Sequence, residues 1–243
     1  MADELPNAEV IGTDITPMQP SWVPPNVKFE LDDCNAEWTW PDNTFDFVHM
    51  RQMFGAVEDW DAILRQAYRT CKPGGYVETF CSDSTFRSDD GTVKEDSATA
   101  QWGKVWNAAG QKMGRPFDVV ARDLDKKAME AAGFVDIEFK EYYIPCNSWH
   151  KDKRLSELGT WWKISMESDL EGKSVFRDWT SFGFMLICCY TGILIYPFNA
   201  VMGWTPEETG SYAKQLRKEL ANRKIHAYNR ARSVWARKPA NSK

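Results

Sequence analysis

Acidic residues stand where short apolar runs end. Asp14 closes the run Glu9 to Asp14 (EVIGTD) and is followed by Ile15; Asp33-Cys34 comes just after Val27 to Asp32 (VKFELD). A cofactor carrying an adenosine needs residues of this kind. Its ribose hydroxyls want a carboxylate at the carboxyl end of a strand. Its adenine wants an acceptor for the amino group, a backbone donor for a ring nitrogen, and apolar faces. Either acid alone reads equally well as a turn residue; their order and spacing, with a third strand following, strengthen the reading. That third run, Phe45 to Met50 (FDFVHM), brings His49, Met50 and Arg51. Histidine is the commonest general base, but a lone histidine at a strand end is more often a hydrogen-bonded structural residue. His150 reads as a surface loop residue, and His226 as part of the final strand.

The elements that must position these residues alternate. Each of the three runs reads as a strand, and Pro17, Pro20, Pro24 and Pro25 break regular structure between the first two. Val57 to Cys71 carries a helical stripe of Val57, Trp60, Ile63, Leu64, Ala67 and Tyr68. Lys72-Pro73-Gly74-Gly75 stops that helix, and Tyr76 to Phe80 is a fourth strand. Such alternation predicts an α/β fold with a mostly parallel sheet. The second half is more helical. Helices are expected over Glu95 to Met113, Asp118 to Ala132 and Leu155 to Leu170, with a strand over Phe134 to Ile144. Thr205-Pro206-Glu207-Glu208 has the form of a capping box, opening a helix to about Lys224, and Ile225 to Lys238 is a last strand. One domain is expected over 1–243, divided into a core sheet region (1–145), a helical elaboration (146–224) and the final strand (225–238).

Composition excludes several classes. The net charge of -5, with acids and bases interspersed, offers no broad basic field for nucleic acid; only Arg217 to Lys243 is locally basic, read as a solvated helix face and tail. The six cysteines form no C-x-x-C pair, and none of the three histidines has metal-ligand spacing, so buried thiols in a reducing compartment and no metal are expected. The N-terminus has no secretory pattern; a cytoplasmic or nuclear place is expected. Phe182 to Phe198 is apolar and uncharged over seventeen residues, against roughly twenty for a membrane helix. It reads as a buried core or lid helix, with a membrane-facing or partner-facing surface as the alternative.

The stretch VIGTDITPMQPSWVPPNVKFELDDCNAEWTWPDNTFDFVHMR, then DWDAILRQAYRTCKPGGYVE, resembles the fungal LaeA-like branch of the class I S-adenosylmethionine-dependent methyltransferases. The resemblance continues through FRSDDGT, AAGFVDIEF, IPCNSWHKDKRLSELG and GWTPEETGSYAKQLRKELANRKIHAY, leaving out about Phe176 to Tyr196. It implies a Rossmann-like core with helical additions in the C-terminal half. It implies S-adenosylmethionine as cofactor and a small-molecule or protein methyl acceptor in secondary metabolism or its control. By the resemblance, Asp14 matches the acid that binds the ribose hydroxyls and Asp33 the residue that receives the adenine amino group. Cys34 supplies the nearby backbone amide, Ile15 and Trp38 are candidates to pack on the adenine, and His49, Met50 and Arg51 face the methyl-donor side.

Such folds open with a strand and a G-x-G-x-G loop, whose glycines admit the cofactor to close approach. This sequence contains no such motif. Its first residues resemble the end of the helix after that loop, so the resemblance places the family's first strand upstream of Met1. That strand would lie centrally, between those ending at Asp14 and Met50, and without it two strand edges face a gap. The sheet must then close the gap, borrow a strand from another chain as in a homo-oligomer, or fold weakly. Three readings stay open: an ordinary enzyme whose opening segment lies upstream, a methyltransferase-like regulator or binding protein working in a protein complex, and a scaffold serving another biosynthetic step.

Overall fold

Residues 2–17, 22–168 and 195–240 are described by a computed structural model. Strands β1 (Val10–Asp14) and β2 (Val27–Leu31) pair in parallel, from Val10 opposite Val27 to Asp14 opposite Leu31. Strand β3 (Phe45–Arg51) pairs in parallel with β4 (Cys71–Arg87). Beyond β4 lies β6 (Tyr228–Arg237) and then β5 (Val135–Pro145), with β6 antiparallel to both neighbours. Among the described residues the strands therefore form two sheets, β1-β2 and β3-β4-β6-β5, with no ladder between β1 and β3. The break falls where the sequence reading expects a gap. The parallel expectation holds for the first four strands, whereas β6 reverses direction.

Helix α1 (Trp60–Thr70) starts where Asp59 caps the Ala62 amide at 3.0 Å. The expected stripe begins three residues late: Val57 is buried but precedes the helix. Trp60, Ile63, Leu64 and Ala67 face inward, and burying each large apolar side chain stabilises by roughly 1.5–3 kcal/mol. Met50, Val77, Val234 and Ala236 belong to the same core.

Other differences have local causes. The expected helix over Asp118 to Ala132 is two, α3 (Val119–Arg122) and α4 (Leu124–Ala132), broken at Asp123 with φ 56°. The break lets Asp123 and Asp125 both reach the buried Arg232 guanidinium. Strand β4 runs well past the expected Phe80, because Ser82, Phe86 and Arg87 pair with Ala231, Asn229 and Tyr228 of β6. Its first residues do not end in a free turn. Gly74, at φ 82°, donates to Lys238 O, Gly75 O accepts from Lys238, and a side chain at Gly75 would meet Asp46 O at 2.8 Å.

Helices α2 (Ala98–Met113) and α5 (Lys153–Ser168) form close to where expected. The capping box at Thr205 is present in both directions, opening α6 (Pro206–Ala221), which ends three residues early. Most of the apolar run Phe182 to Phe198 lies outside the described residues; its last residue, Phe198, sits in a π-helical stretch (Ile195–Val201) and is fully buried. No helix among the described residues is long and apolar enough to cross a membrane.

Candidate functional site

The parallel pairing of β1 and β2 brings their carboxyl ends together, and one further hydrogen bond extends the register, from Asp32 N to Asp14 O at 3.1 Å. Asp14 is half-buried. Its Oδ1 accepts the buried Thr16 amide at 2.8 Å, a local turn that fixes the carboxylate. Ile15 beside it is 38% exposed, an apolar surface at the strand end.

Asp33 follows β2. Its Oδ1 accepts both the backbone amide of Asn35 at 2.9 Å and the Asn35 side-chain amide at 3.2 Å. Burial, reinforced by the neighbouring Asp33 charge, pushes the Cys34 thiol up to about 11. The thiol is therefore neutral near pH 7, which fits a role through its backbone. Trp38 is buried, its indole donating to Cys34 O at 3.3 Å. That places Trp38 in the core, under the loop rather than on an open face.

The Asp33 loop is tied to the segment after β3. Asn35 Nδ2 also donates to Ala56 O, and Asn35 Oδ1 accepts from Glu58 N, both at 3.0 Å. Arg115, arriving after α2, donates to the same Ala56 O at 2.6 Å and pairs with Glu58. On the other side of the loop, Gln66 of α1 bonds Trp38 N and Ala36 O, and Arg69 donates to Trp38 O and Trp40 O at 2.7 Å.

His49, Met50 and Arg51 are the last three residues of β3, on alternating faces. Met50 is 6% exposed within the core, which leaves it almost no surface to offer a ligand. His49 and Arg51 share the other face with Phe47. His49 Nδ1 lies 3.1 Å from Glu78 Oε2, and Glu78 also accepts from Ser233; Arg51 lies 6.0 Å from the Phe80 ring centroid. The structure thus gathers Asp14, Ile15, Asp33 and Cys34 at one end of β1-β2, and puts His49 in a hydrogen-bonded row across the larger sheet.

Two positions that the sequence reading passed over stand at the strand ends. Gln52, with φ 56°, donates from Nε2 to Ser82 Oγ at 2.9 Å and accepts from Ser82 N at 3.0 Å, locking β3 to β4. Asn35 is the other; an Asp-x-Asn spacing was its only local signal. No group of three or more His, Cys, Asp or Glu among the described residues could hold a metal ion. A cavity of about 460 Å³ lies between α2 and α6, lined by Asp96, Trp204, Glu207 and Tyr212 and by none of the strand-end residues.

Comparison with known proteins places this arrangement. A methyltransferase domain family matches residues 1–138. The chain is 34% identical over 240 residues to the methyltransferase pytC of Aspergillus terreus, covering 98% of this chain and 67% of that protein. It is 31% identical over 242 residues to the secondary metabolism regulator LAE1 of Cochliobolus heterostrophus, covering 98% and 72%. It is 27% identical over 240 residues to the protein-methionine methyltransferase laeA of Emericella nidulans, covering 98% and 58%. With the family matched over more than half its length, this chain belongs to the methyltransferase domain family, and its sheet with helices on it is a Rossmann-like α/β core.

Proposed function

We propose that the chain works in S-adenosylmethionine-dependent methyl transfer within fungal secondary metabolism or its control, with Asp14 and Asp33 holding the adenosine. The observation that carries this is the placement of the two acids at the carboxyl end of one parallel strand pair, extended by the Asp32–Asp14 backbone bond. The residues present fit the adenosine half of the donor. Asp14 offers an anchored carboxylate to the ribose hydroxyls, Asp33 an acceptor to the adenine amino group, and Ile15 an exposed apolar side chain. For the methionine half, this sequence holds no G-x-G-x-G loop, so that end of the donor is not assigned to residues here.

When bound, the donor supplies a methyl group already activated on a sulfonium, and in-line displacement is then driven largely by positioning. The work of this chain is accordingly orientation. Asp14 and Asp33 fix the nucleoside, and the Gln52–Ser82 pair fixes the end of β3 to β4. His49 meets Glu78 on the face opposite Met50, and that pair ties β3 to β4.

A second reading is supported by relatives named as regulators: the chain binds in a regulatory complex without transferring a methyl group. Calorimetric titration of S-adenosylhomocysteine tests the first reading. Saturable one-to-one binding that requires Asp14 is expected. No heat of binding at millimolar ligand overturns it and leaves the regulator.

A further inference from the structure

We propose that Asn35 is the positioning residue of the adenine end, setting the chain's preference for a 6-amino over a 6-oxo purine; this rests on the reading of Asp33 given above. All of Asn35's polar groups named so far are engaged, and toward two different parts of the site. Its backbone amide and its Nδ2 both hold Asp33 Oδ1. The same Nδ2 reaches Ala56 O, and its Oδ1 takes Glu58 N. One side chain therefore sets the rotamer of Asp33 and anchors it to the β3-α1 connection, across a line where the two sheets share no ladder. Arg115 steadies the far side by donating to the same Ala56 oxygen.

With Oδ1 taken by two donors, Oδ2 is the Asp33 oxygen left for a third. A 6-amino purine supplies that donor. A 6-oxo purine presents a carbonyl oxygen to a carboxylate instead, and an acceptor held in place disfavours the analogue that lacks the donor. Were Asp33 free to rotate, it could turn away from the carbonyl and the rejection would fade. Asn35 thus acts on selectivity as well as affinity.

The test uses 5′-methylthioadenosine and 5′-methylthioinosine, which probe the nucleoside end alone, titrated calorimetrically into the full chain and into Asn35→Ala. The wild-type chain should prefer the amino compound by about tenfold or more, as expected for one lost polar contact with a charged partner. Asn35→Ala should cut that preference to about threefold or less. If Asn35→Ala does not fold, Asn35→Asp retains the acceptor for Glu58 and lacks the side-chain donors, and the same loss of preference is expected. Full wild-type preference in a folded variant overturns the assignment while leaving the donor reading intact. A wild-type chain that binds neither nucleoside overturns both.

Discussion

Replacing Asp14 separates its two duties, because its oxygens do different things. Oδ1 accepts the Thr16 amide at 2.8 Å, and Thr16 is only 3% exposed, so that bond is structural. The second oxygen is the one offered to ribose. Asp14→Asn, with its oxygen kept on the Thr16 amide, puts an NH2 group toward the ligand. A hydrogen bond to a charged group contributes about 1.5–3 kcal/mol, so a loss of about 2 kcal/mol, roughly thirtyfold in affinity for S-adenosylhomocysteine, is expected. Asp14→Ala loses the same ligand contact and also strands a buried amide, at a further cost of about 1 kcal/mol to the fold. For a chain of this size that lowers the melting temperature by about 2–4 °C. Calorimetry reads the first effect and thermal unfolding the second. The two variants should match in affinity and differ in stability. Wild-type affinity in Asp14→Ala, within twofold and at unchanged stoichiometry, refutes the placement of Asp14 in the site.

Three further outcomes check other parts of the structure. His49→Gln should bind S-adenosylhomocysteine within about twofold of wild type, since an uncharged partner for Glu78 costs under about 1 kcal/mol at a half-exposed site; a loss beyond tenfold would return His49 to the ligand. Glu219→Gln should destabilise by about 3 kcal/mol, because the buried carboxylate accepts from the amides of Ala98 and Thr99, the Thr99 hydroxyl and Gln215, tying α6 to the start of α2. Burial alone would raise the Glu219 carboxyl, yet these donors hold it below its ordinary value, so its contribution is full above about pH 4.5 and is lost as pH falls through the depressed value. Melting curves should show that acid loss in the wild type and a flatter profile in the variant, and equal slopes would refute the linkage. Cys34, with its thiol near 11, should react with iodoacetamide far more slowly at pH 8 than an ordinary thiol and speed up about tenfold per pH unit, followed by mass spectrometry against Cys34→Ser; fast labelling at pH 8 would refute the burial argument.

What could be read from the sequence was local. The capping box at Thr205 and the acids at Asp14 and Asp33 depend on neighbours within a few residues, and the structure has them where the pattern put them. Positions governed by distant partners were not legible. The break at Asp123 is explained by Arg232, over a hundred residues away, and no periodicity announces it. Strand β4 continues past the expected Phe80 through Ser82 to Ser84, buried polar residues with no apolar strand pattern, where β6 pairs with part of the stretch. Met50 and His49 looked equivalent as neighbours at a strand end, yet strand alternation sends one into the core and the other onto the opposite face.

Asn35 belongs to this second kind, and the reason bears on function. Lys28 to Leu31 of β2 are all exposed, so apolar burial does little to fix that strand against the rest of the core. No ladder joins β1 to β3 among the described residues. The position of Asp14 and Asp33 relative to β3 therefore depends on the buried Trp38 and on polar side chains that reach across: Asn35 to Ala56 and Glu58, Gln66 to Trp38 and Ala36, and Arg69 to Trp38 and Trp40. Such networks are cooperative, because each bond holds the next donor in place. Chemistry that relies on positioning is correspondingly sensitive to them. Residues that need not touch the nucleoside should then weigh on its binding, and those with the most partners on both sides of the break, Asn35 above all, should weigh most.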